Sequence, residues 1–222
     1  MFLNYNPLNE FVEPIISEQW WFGLQHGIGI LSHGVIIAYL LKAKTLYIAS
    51  SFTYSENEYL NKLILPCASS PVIDNFFKFA DCSSVHDGYE FSRASKVQNI
   101  VDFSNETSKN IKMHVCWATK SGRNCNVCEK CARTFLALLS NKANPNDYGF
   151  LVNEETLSKV KENFYDSVYN KKRVKGWAMH EGTLIRWKVA QKALLNDPEF
   201  LQDLHLYDSL KWFLELDFDE IV

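Results

Sequence analysis

The chain has 222 residues, 47 % of them hydrophobic and 22 % charged, which is the balance of a globular protein large enough to bury its own core. A net charge of −3 argues against broad binding to a nucleic-acid backbone, and the apolar stretches are too short and too polar to predict a membrane span. No signal peptide is recognisable in MFLNYNPLNEF, and four of the six cysteines are clustered, so we expect a cytoplasmic protein with reduced thiols.

Residues 18–44 are predicted to form one long helix that packs on a sheet. Apolar residues recur there at steps of three and four, which aligns on one face Leu24, Ile28, Leu31, Val35 and Ala38. The opposite face is also largely apolar, so we expect this helix to be buried on both sides.

Three short segments are predicted to be strands: residues 45–51, which form a β-branched and aromatic run, and residues 83–86 and 111–116. Strands that alternate with helices favour neighbouring, mainly parallel pairing, so the predicted fold is α/β, with a partial doubly wound parallel sheet. We expect residues 1–142 to form this core. Residues 143–222 have helical periodicity and are predicted to form a helical extension packed on it.

The cysteines of CWATKSGRNCNVCEKC, Cys116, Cys125, Cys128 and Cys131, have the spacing of metal ligands. Two overlapping Cys-x2-Cys steps turn three thiolates toward one point, and the eight-residue loop after Cys116 closes the set. Four sulfurs suit a closed, structural, tetrahedral zinc site, and Gly122 and Asn124 suit tight turns at positive φ. Disulfides are the alternative, and a catalytic thiol is the weakest interpretation.

Four residues are candidates for contact with a substrate: Ser51, His86, Arg93 and Lys96. Ser51 and His86 end predicted parallel strands, whose carboxyl ends face the ligand crevice together with the start of the cysteine loop. Ser92 predicts a helix N-cap, and Arg93 and Lys96 lie three apart on that helix, where both could contact an anion. The alternatives are hydroxyls that bond their own turn and a solvated helix face. Asp74 is interpreted as the cap of a short helix. No residue is assigned a catalytic role.

The chain resembles the C-terminal part of the pyrophosphatase-loop, or adenine-nucleotide α-hydrolase-like, superfamily, and within it resembles the cyano-deazaguanine synthases. The resemblance covers about residues 20–140. It depends on the pattern Cys-x8-Cys-x2-Cys-x2-Cys and on the segments VHDGYEFSRASKVQNI and NCNVCEKCARTFLAL. It implies an ATP-dependent ligase that activates a carboxylate or carbonyl oxygen as an adenylate, which a nitrogen nucleophile then attacks.

One departure from the family concerns ATP. The family's Ser-Gly-Gly-x-Asp-Ser loop, whose backbone amides bind pyrophosphate, is not found in the 222 residues. The resemblance therefore implies half of a split enzyme, a degenerate relative or a fragment of a longer protein. For an enzyme we expect a partner chain that brings the nucleotide-binding half, or self-association, with ATP and magnesium used only in that assembly. The alternative is a non-catalytic, zinc-stabilised binding module.

Overall fold

The structure is a computed structural model that describes residues 25–53, 68–116, 118–119, 121–177, 179 and 181–221. The chain forms two compact units, Met1–Lys96 and Val97–Val222. The predicted division after residue 142 does not coincide with this boundary.

Helix α1 of the first unit comprises His26–Leu40, within the predicted helix, whose start at residues 18–24 lies outside the described residues. One stripe of α1 is buried and consists of Gly27, Leu31, Val35 and Ala38. The predicted burial on both sides is wrong, because Ile36, Ile37 and Leu40 are each more than half exposed. Apolar periodicity around the whole helix does not decide which face finds a neighbour.

The sheet of the first unit has three strands in the order β1-β3-β2. Strands β1 (Thr45–Ala49) and β3 (Cys82–Asp87) are parallel, as the sequence predicts. Strand β2 (Lys78–Phe79) is antiparallel to β3 and was not predicted. The protein therefore contains a small mixed sheet with helices, while the doubly wound arrangement stays a prediction.

The third predicted strand, residues 111–116, is wrong. The segment has no strand structure, because its backbone groups are bonded elsewhere. Met113 N–H donates to the carbonyl of Tyr148 at 2.8 Å, and Val115 N–H donates to the side-chain oxygen of Asn124 at 3.1 Å. These bonds satisfy two backbone N–H groups of the segment without a neighbouring strand.

Helices dominate the chain from residue 93 onward. They are α3 (Arg93–Thr107), α4 (Glu129–Ser140), a 3₁₀ turn (Pro145–Tyr148), α5 (Glu154–Val168), α6 (Glu181–Asn196), α7 (Glu199–Asp203) and α8 (Tyr207–Leu214). Ser92 caps α3 as predicted, since its Oγ accepts the backbone N–H of Ser95 at 3.1 Å.

The core of the second unit is aromatic. The ring of Phe164 on α5 lies 5.1 Å from that of Trp187 on α6 and 5.4 Å from that of Trp212 on α8, measured between centroids. Phe135 on α4 is fully buried in the same cluster, so this core continues across residue 142.

Within the described residues, no helix combines the length and apolar character needed to cross a membrane.

Candidate metal centre

The sulfur atoms of Cys116, Cys125, Cys128 and Cys131 all lie within 4.8 Å of one another. The separations are 3.9 Å for Cys116–Cys128, 3.9 Å for Cys125–Cys131 and 3.5 Å for Cys128–Cys131. A tetrahedral zinc ion with bonds of about 2.3 Å sets its sulfur ligands roughly 3.8 Å apart. All four thiols are free. The cluster can therefore hold a metal ion, and the disulfide alternative does not describe it.

The turn from Cys125 to Cys128 and the first turn of α4 bring three of the sulfurs together. Asn126 adopts a left-handed φ of 65°, and its side-chain oxygen accepts the backbone N–H of Leu151 at 3.1 Å. Cys128 N–H donates to the sulfur of Cys125 at 3.3 Å. Cys128 is the N-cap of α4 and Cys131 lies in its first turn, so the helix fixes both. Asn tolerates the left-handed conformation better than most residues, which explains the local fold.

The segment before the first cysteine is held by Asn124. Its Oδ1 accepts Val115 N–H at 3.1 Å, and its Nδ2 donates to the carbonyls of Met113 at 2.8 Å and Gly149 at 3.0 Å. Gly122 has the predicted left-handed φ, 69°. The sequence predicted that Asn124 adopts a positive φ in a tight turn. In the structure its contribution comes instead from the hydrogen bonds of its side chain.

The cysteine loop packs directly against the segment before α6. Gly176 has a φ of 79°, and a Cβ placed on it would lie 2.9 Å from the Cβ of Cys128. The carbonyl of Gly176 accepts the N–H of Glu129 at 3.1 Å, and Trp177 Nε1 donates to the carbonyl of Val127 at 2.9 Å. Sequence reasoning missed Gly176 and Trp177, because they lie far from the loop along the chain.

The protonation of the four thiols is uneven. The hydrogen bond between the sulfurs of Cys128 and Cys131 is the main cause that lowers the pKa of Cys128 to about 5, and the same bond raises the pKa of Cys131. Burial is the main cause that raises the pKa of Cys125. Burial raises the pKa of Cys116, but its hydrogen bonds, those with Cys125 first, lower it more, so the pKa of Cys116 is also lowered. The site thus favours thiolates at Cys116 and Cys128 and needs a bound cation to hold four thiolates together.

The predicted substrate residues belong to the first unit. There, the parallel pairing of β1 and β3 brings Ser51 and His86 to the same, carboxyl-terminal end of the strands. The ammonium group of Lys96 donates to the carbonyl of Ser50 at 2.7 Å and to its hydroxyl at 2.8 Å. Ser50 Oγ donates in turn to the carbonyl of Gly88 at 3.0 Å. Lys96 therefore joins the end of β1 to the start of α3, while Arg93 is exposed one turn away.

His86 is bonded to a buried carboxyl group. Its Nδ1 lies 2.7 Å from Oδ2 of Asp74, and the hydroxyl of Ser69 donates to the same oxygen at 2.6 Å. Both side chains of the His86–Asp74 pair are fully buried, and His86 Nε2 makes no hydrogen bond in the described structure. The interpretation of Asp74 as a helix cap is wrong, since Asp74 ends helix α2 (Pro71–Asp74) and contacts β3 instead.

No protein-family model, curated protein or solved structure matches this chain. The resemblance to the pyrophosphatase-loop superfamily therefore depends on the motifs alone. Ligand contact by Ser51, His86, Arg93 and Lys96 stays a prediction.

Proposed function

We propose that Cys116, Cys125, Cys128 and Cys131 hold one structural zinc ion. The observation that carries this proposal is the meeting of four sulfurs at the separations of a tetrahedral site. Sulfur ligands in tetrahedral geometry are typical of zinc, and a site closed by four protein ligands leaves no position for a substrate. The ion would join the start of α4 to the segment before Cys116 and stabilise the fold.

Metal analysis of the purified chain tests the zinc proposal. We expect about one equivalent of zinc per chain. The Cys125→Ser variant should lose the metal and at least about 2 kcal/mol of unfolding free energy, because zinc binding contributes to folding. Cys82→Ser is the matched control, since Cys82 is a buried free thiol outside the cluster and its replacement should leave the zinc content unchanged. A metal-free protein with native structure would contradict the proposal.

We further propose that the chain is the zinc-bearing part of an ATP-dependent ligase that forms a carbon–nitrogen bond. Its nucleotide-binding half would come from outside these 222 residues. Two features support this function: the spacing of the cysteines, and the parallel pair β1 and β3, whose carboxyl ends carry Ser51, His86 and the start of α3. Ligands of α/β enzymes bind at the carboxyl ends of parallel strands.

In the proposed reaction, a substrate carboxylate attacks the α-phosphorus of ATP and releases pyrophosphate. A nitrogen nucleophile then attacks the acyl carbon of the adenylate, AMP leaves, and the nucleophile gives up a proton. Arg93 is an exposed residue, and a guanidinium group is suited to bind a carboxylate or phosphate oxygen as negative charge moves during these steps. The zinc ion takes no part in the chemistry.

A non-catalytic binding module is the second candidate, and a specific observation favours it. Lys96 is bonded to Ser50, and the side chain of His86 is fully buried against Asp74. Two of the four predicted substrate contacts are thus engaged inside the unit, as they would be in a fold that retains the architecture of an enzyme without its activity.

Reconstitution distinguishes these two functions. The chain would be mixed with a protein that carries a Ser-Gly-Gly-x-Asp-Ser loop, sought first in the neighbouring reading frames, and pyrophosphate release would be measured with candidate carboxylates. We expect release only in the mixture. Arg93→Ala should lower it by about tenfold or more without changing stability, whereas Asn99→Ala, an exposed residue of the same helix, should not. No release from any mixture that forms a complex would favour the binding module.

A further inference from the structure

Two basic segments that lie far apart along the chain meet beside the cysteine cluster. Residues 121–133 and 169–177 together contain seven basic residues and one acidic residue, whereas the whole chain has a net charge of −3. The acidic residue, Glu129, is buried. Its carboxylate accepts the Nε1 hydrogen of Trp187 at 3.2 Å and lies 3.4 Å from Nε of Arg133. Positive charge is therefore locally in excess, although the chain as a whole is acidic.

Contacts around Gly176 bring the two segments together. Lys175 directly precedes Gly176, and a Cβ placed on Gly176 would lie 3.3 Å from the Cβ of Ala118. The residue after Ala118 is Thr119, whose hydroxyl donates to the carbonyl of Arg123 at 3.0 Å. Lys175 and Arg123 therefore flank the same part of the cysteine loop, although they are far apart along the chain.

We term the exposed cations of these two segments the basic surface. All of its members belong to the second unit, and they are Arg123, Lys130, Lys171, Arg173 and Lys175. Lys130 has another interaction, whereas the side chains of the other four members make no hydrogen bond or ion pair in the part of the chain that the structure describes. Lys172 is not a member, because its ammonium is paired with Asp166 at 2.9 Å. Four cations of this surface are thus available to an anionic ligand.

An exposed aromatic ring lies at the start of the second basic segment. Tyr169 is 50 % exposed, and the ring of Tyr165 is stacked on it, with 5.2 Å between centroids and 23° between planes. Burial raises the pKa of Tyr169, and so do Tyr165 and the carboxylates of Glu220 and Asp217. These carboxylates disfavour a phosphate at the ring. An uncharged base can still stack there, while phosphates would follow the basic surface.

We propose that the basic surface and Tyr169 bind a single-stranded nucleic acid. Proteins that bind such strands combine cations along the phosphate backbone with aromatic rings on which bases stack, and both features meet here. Residues 169–177 form no helix or strand that could enter the major groove of a duplex, and a duplex keeps its bases stacked inside, so the site suits an unpaired strand. Phosphate contacts add up only along a strand, so a single nucleotide should bind weakly.

Fluorescence anisotropy with labelled oligonucleotides of about 15 nucleotides tests this proposal on the 222-residue chain, without ATP or a partner chain. Oligo-dT and oligo-U probes distinguish DNA from RNA, and binding of either supports the proposal. Four phosphate contacts predict that the affinity falls roughly 50-fold between about 50 and 200 mM salt. Absence of binding at the lower salt concentration would overturn the proposal.

The double variant Arg173→Gln, Lys175→Gln removes two of the four available cations. We expect it to lower the affinity at low salt by at least about tenfold and to halve the salt dependence. Lys109→Gln combined with Lys142→Gln is the matched control. It removes the same charge beyond the end of α4, where both lysines line another groove, and it should leave binding unchanged. An equal loss in the control would overturn the proposal, because net charge rather than the basic surface would then determine binding.

Tyr169→Ala probes the stacking contact, and it should weaken binding by about tenfold, whereas Tyr169→Phe should retain it. Circular dichroism of both variants checks that the fold is intact. Equal losses in the two variants would contradict a stacked base.

Poly-glutamate of similar length serves as the competitor, because it has the charge of a nucleic acid without its bases. We expect it to compete poorly. If it displaces the oligonucleotide as well as an unlabelled strand does, the surface fits an acidic protein and the proposal is wrong. Zinc content and pyrophosphate release are measured separately, so a failure here leaves the proposed function untouched.

Discussion

The turn at Gly176 shows how much a single residue determines at the metal centre. Its φ of 79° suits glycine, and the position lacks room for a side chain because Cys128 and Ala118 lie against it. Gly122 has a similar φ of 69°, yet nothing lies within 4 Å of the Cβ that a substitution would add there. Substitutions at the two glycines therefore distinguish the cost of backbone strain from the cost of steric overlap.

We predict that Gly176→Ala lowers the unfolding free energy by about 2–3 kcal/mol, whereas Gly122→Ala lowers it by only about 1 kcal/mol. Both variants strain the backbone, and Gly176→Ala also displaces Cys128 from its sulfur partners. Urea unfolding of the zinc-loaded proteins measures the difference. Equal effects in the two variants would show that the contact with Cys128 does not matter.

The buried His86–Asp74 pair is expected to stabilise the first unit. Removing His86 leaves the buried oxygens of Asp74 with Ser69 as their only hydrogen-bond donor in the described structure. We predict that His86→Ala costs about 3 kcal/mol, and that His86→Asn costs less because the Asn amide can donate to Asp74. Thermal unfolding compares them. If both cost the same, the hydrogen bond is not what His86 contributes.

At the scale of secondary structure, residues 111–116 show why an apolar segment need not become a strand. IKMHVC has the composition of a strand. Its backbone, however, is hydrogen-bonded to the side chain of Asn124 and to the carbonyl of Tyr148 instead of to a neighbouring strand. The side-chain amide of Asn124 donates two hydrogen bonds and accepts one. These bonds take the place of backbone bonds that a neighbouring strand would make. The position of Cys116 depends on this arrangement.

We predict that Asn124→Ala lowers both stability and zinc affinity. It leaves the N–H of Val115 and the carbonyls of Met113 and Gly149 without this partner, which should cost about 2–3 kcal/mol. Zinc affinity should fall by about tenfold or more, as it does when groups that orient metal ligands are removed. Competition with a chromogenic chelator gives the affinity. Asn110→Ala, at an exposed position of the preceding segment, should change neither quantity.

At the scale of the whole molecule, the missing nucleotide loop sets a limit on what the 222 residues can do. Tight binding of a triphosphate requires several backbone amides that point at the phosphates together. Arg93 is exposed at the start of α3, and the ammonium of Lys96 is bonded to Ser50. One guanidinium can bind a single phosphate or carboxylate only weakly.

We predict that the chain alone binds magnesium-ATP with millimolar affinity or not at all and releases no pyrophosphate. Isothermal titration and a coupled pyrophosphate assay measure the two quantities. Zinc-loaded protein should be used, so that loss of the fold is not mistaken for loss of affinity. Micromolar binding would show a phosphate site that neither the glycine pattern nor the basic residues indicate.

The amino-acid sequence by itself determined the cysteine cluster, the parallel strands β1 and β3, and the helices after residue 128. These features depend on short-range spacing: ligands two residues apart share a turn, and periods of two or 3.6 residues select strand or helix. The tertiary structure decided the rest. It paired Asp74 with His86 and kept residues 111–116 out of the sheet. It also left one side of α1 exposed, because long-range neighbours, which local spacing does not encode, choose the partners of polar groups and apolar faces.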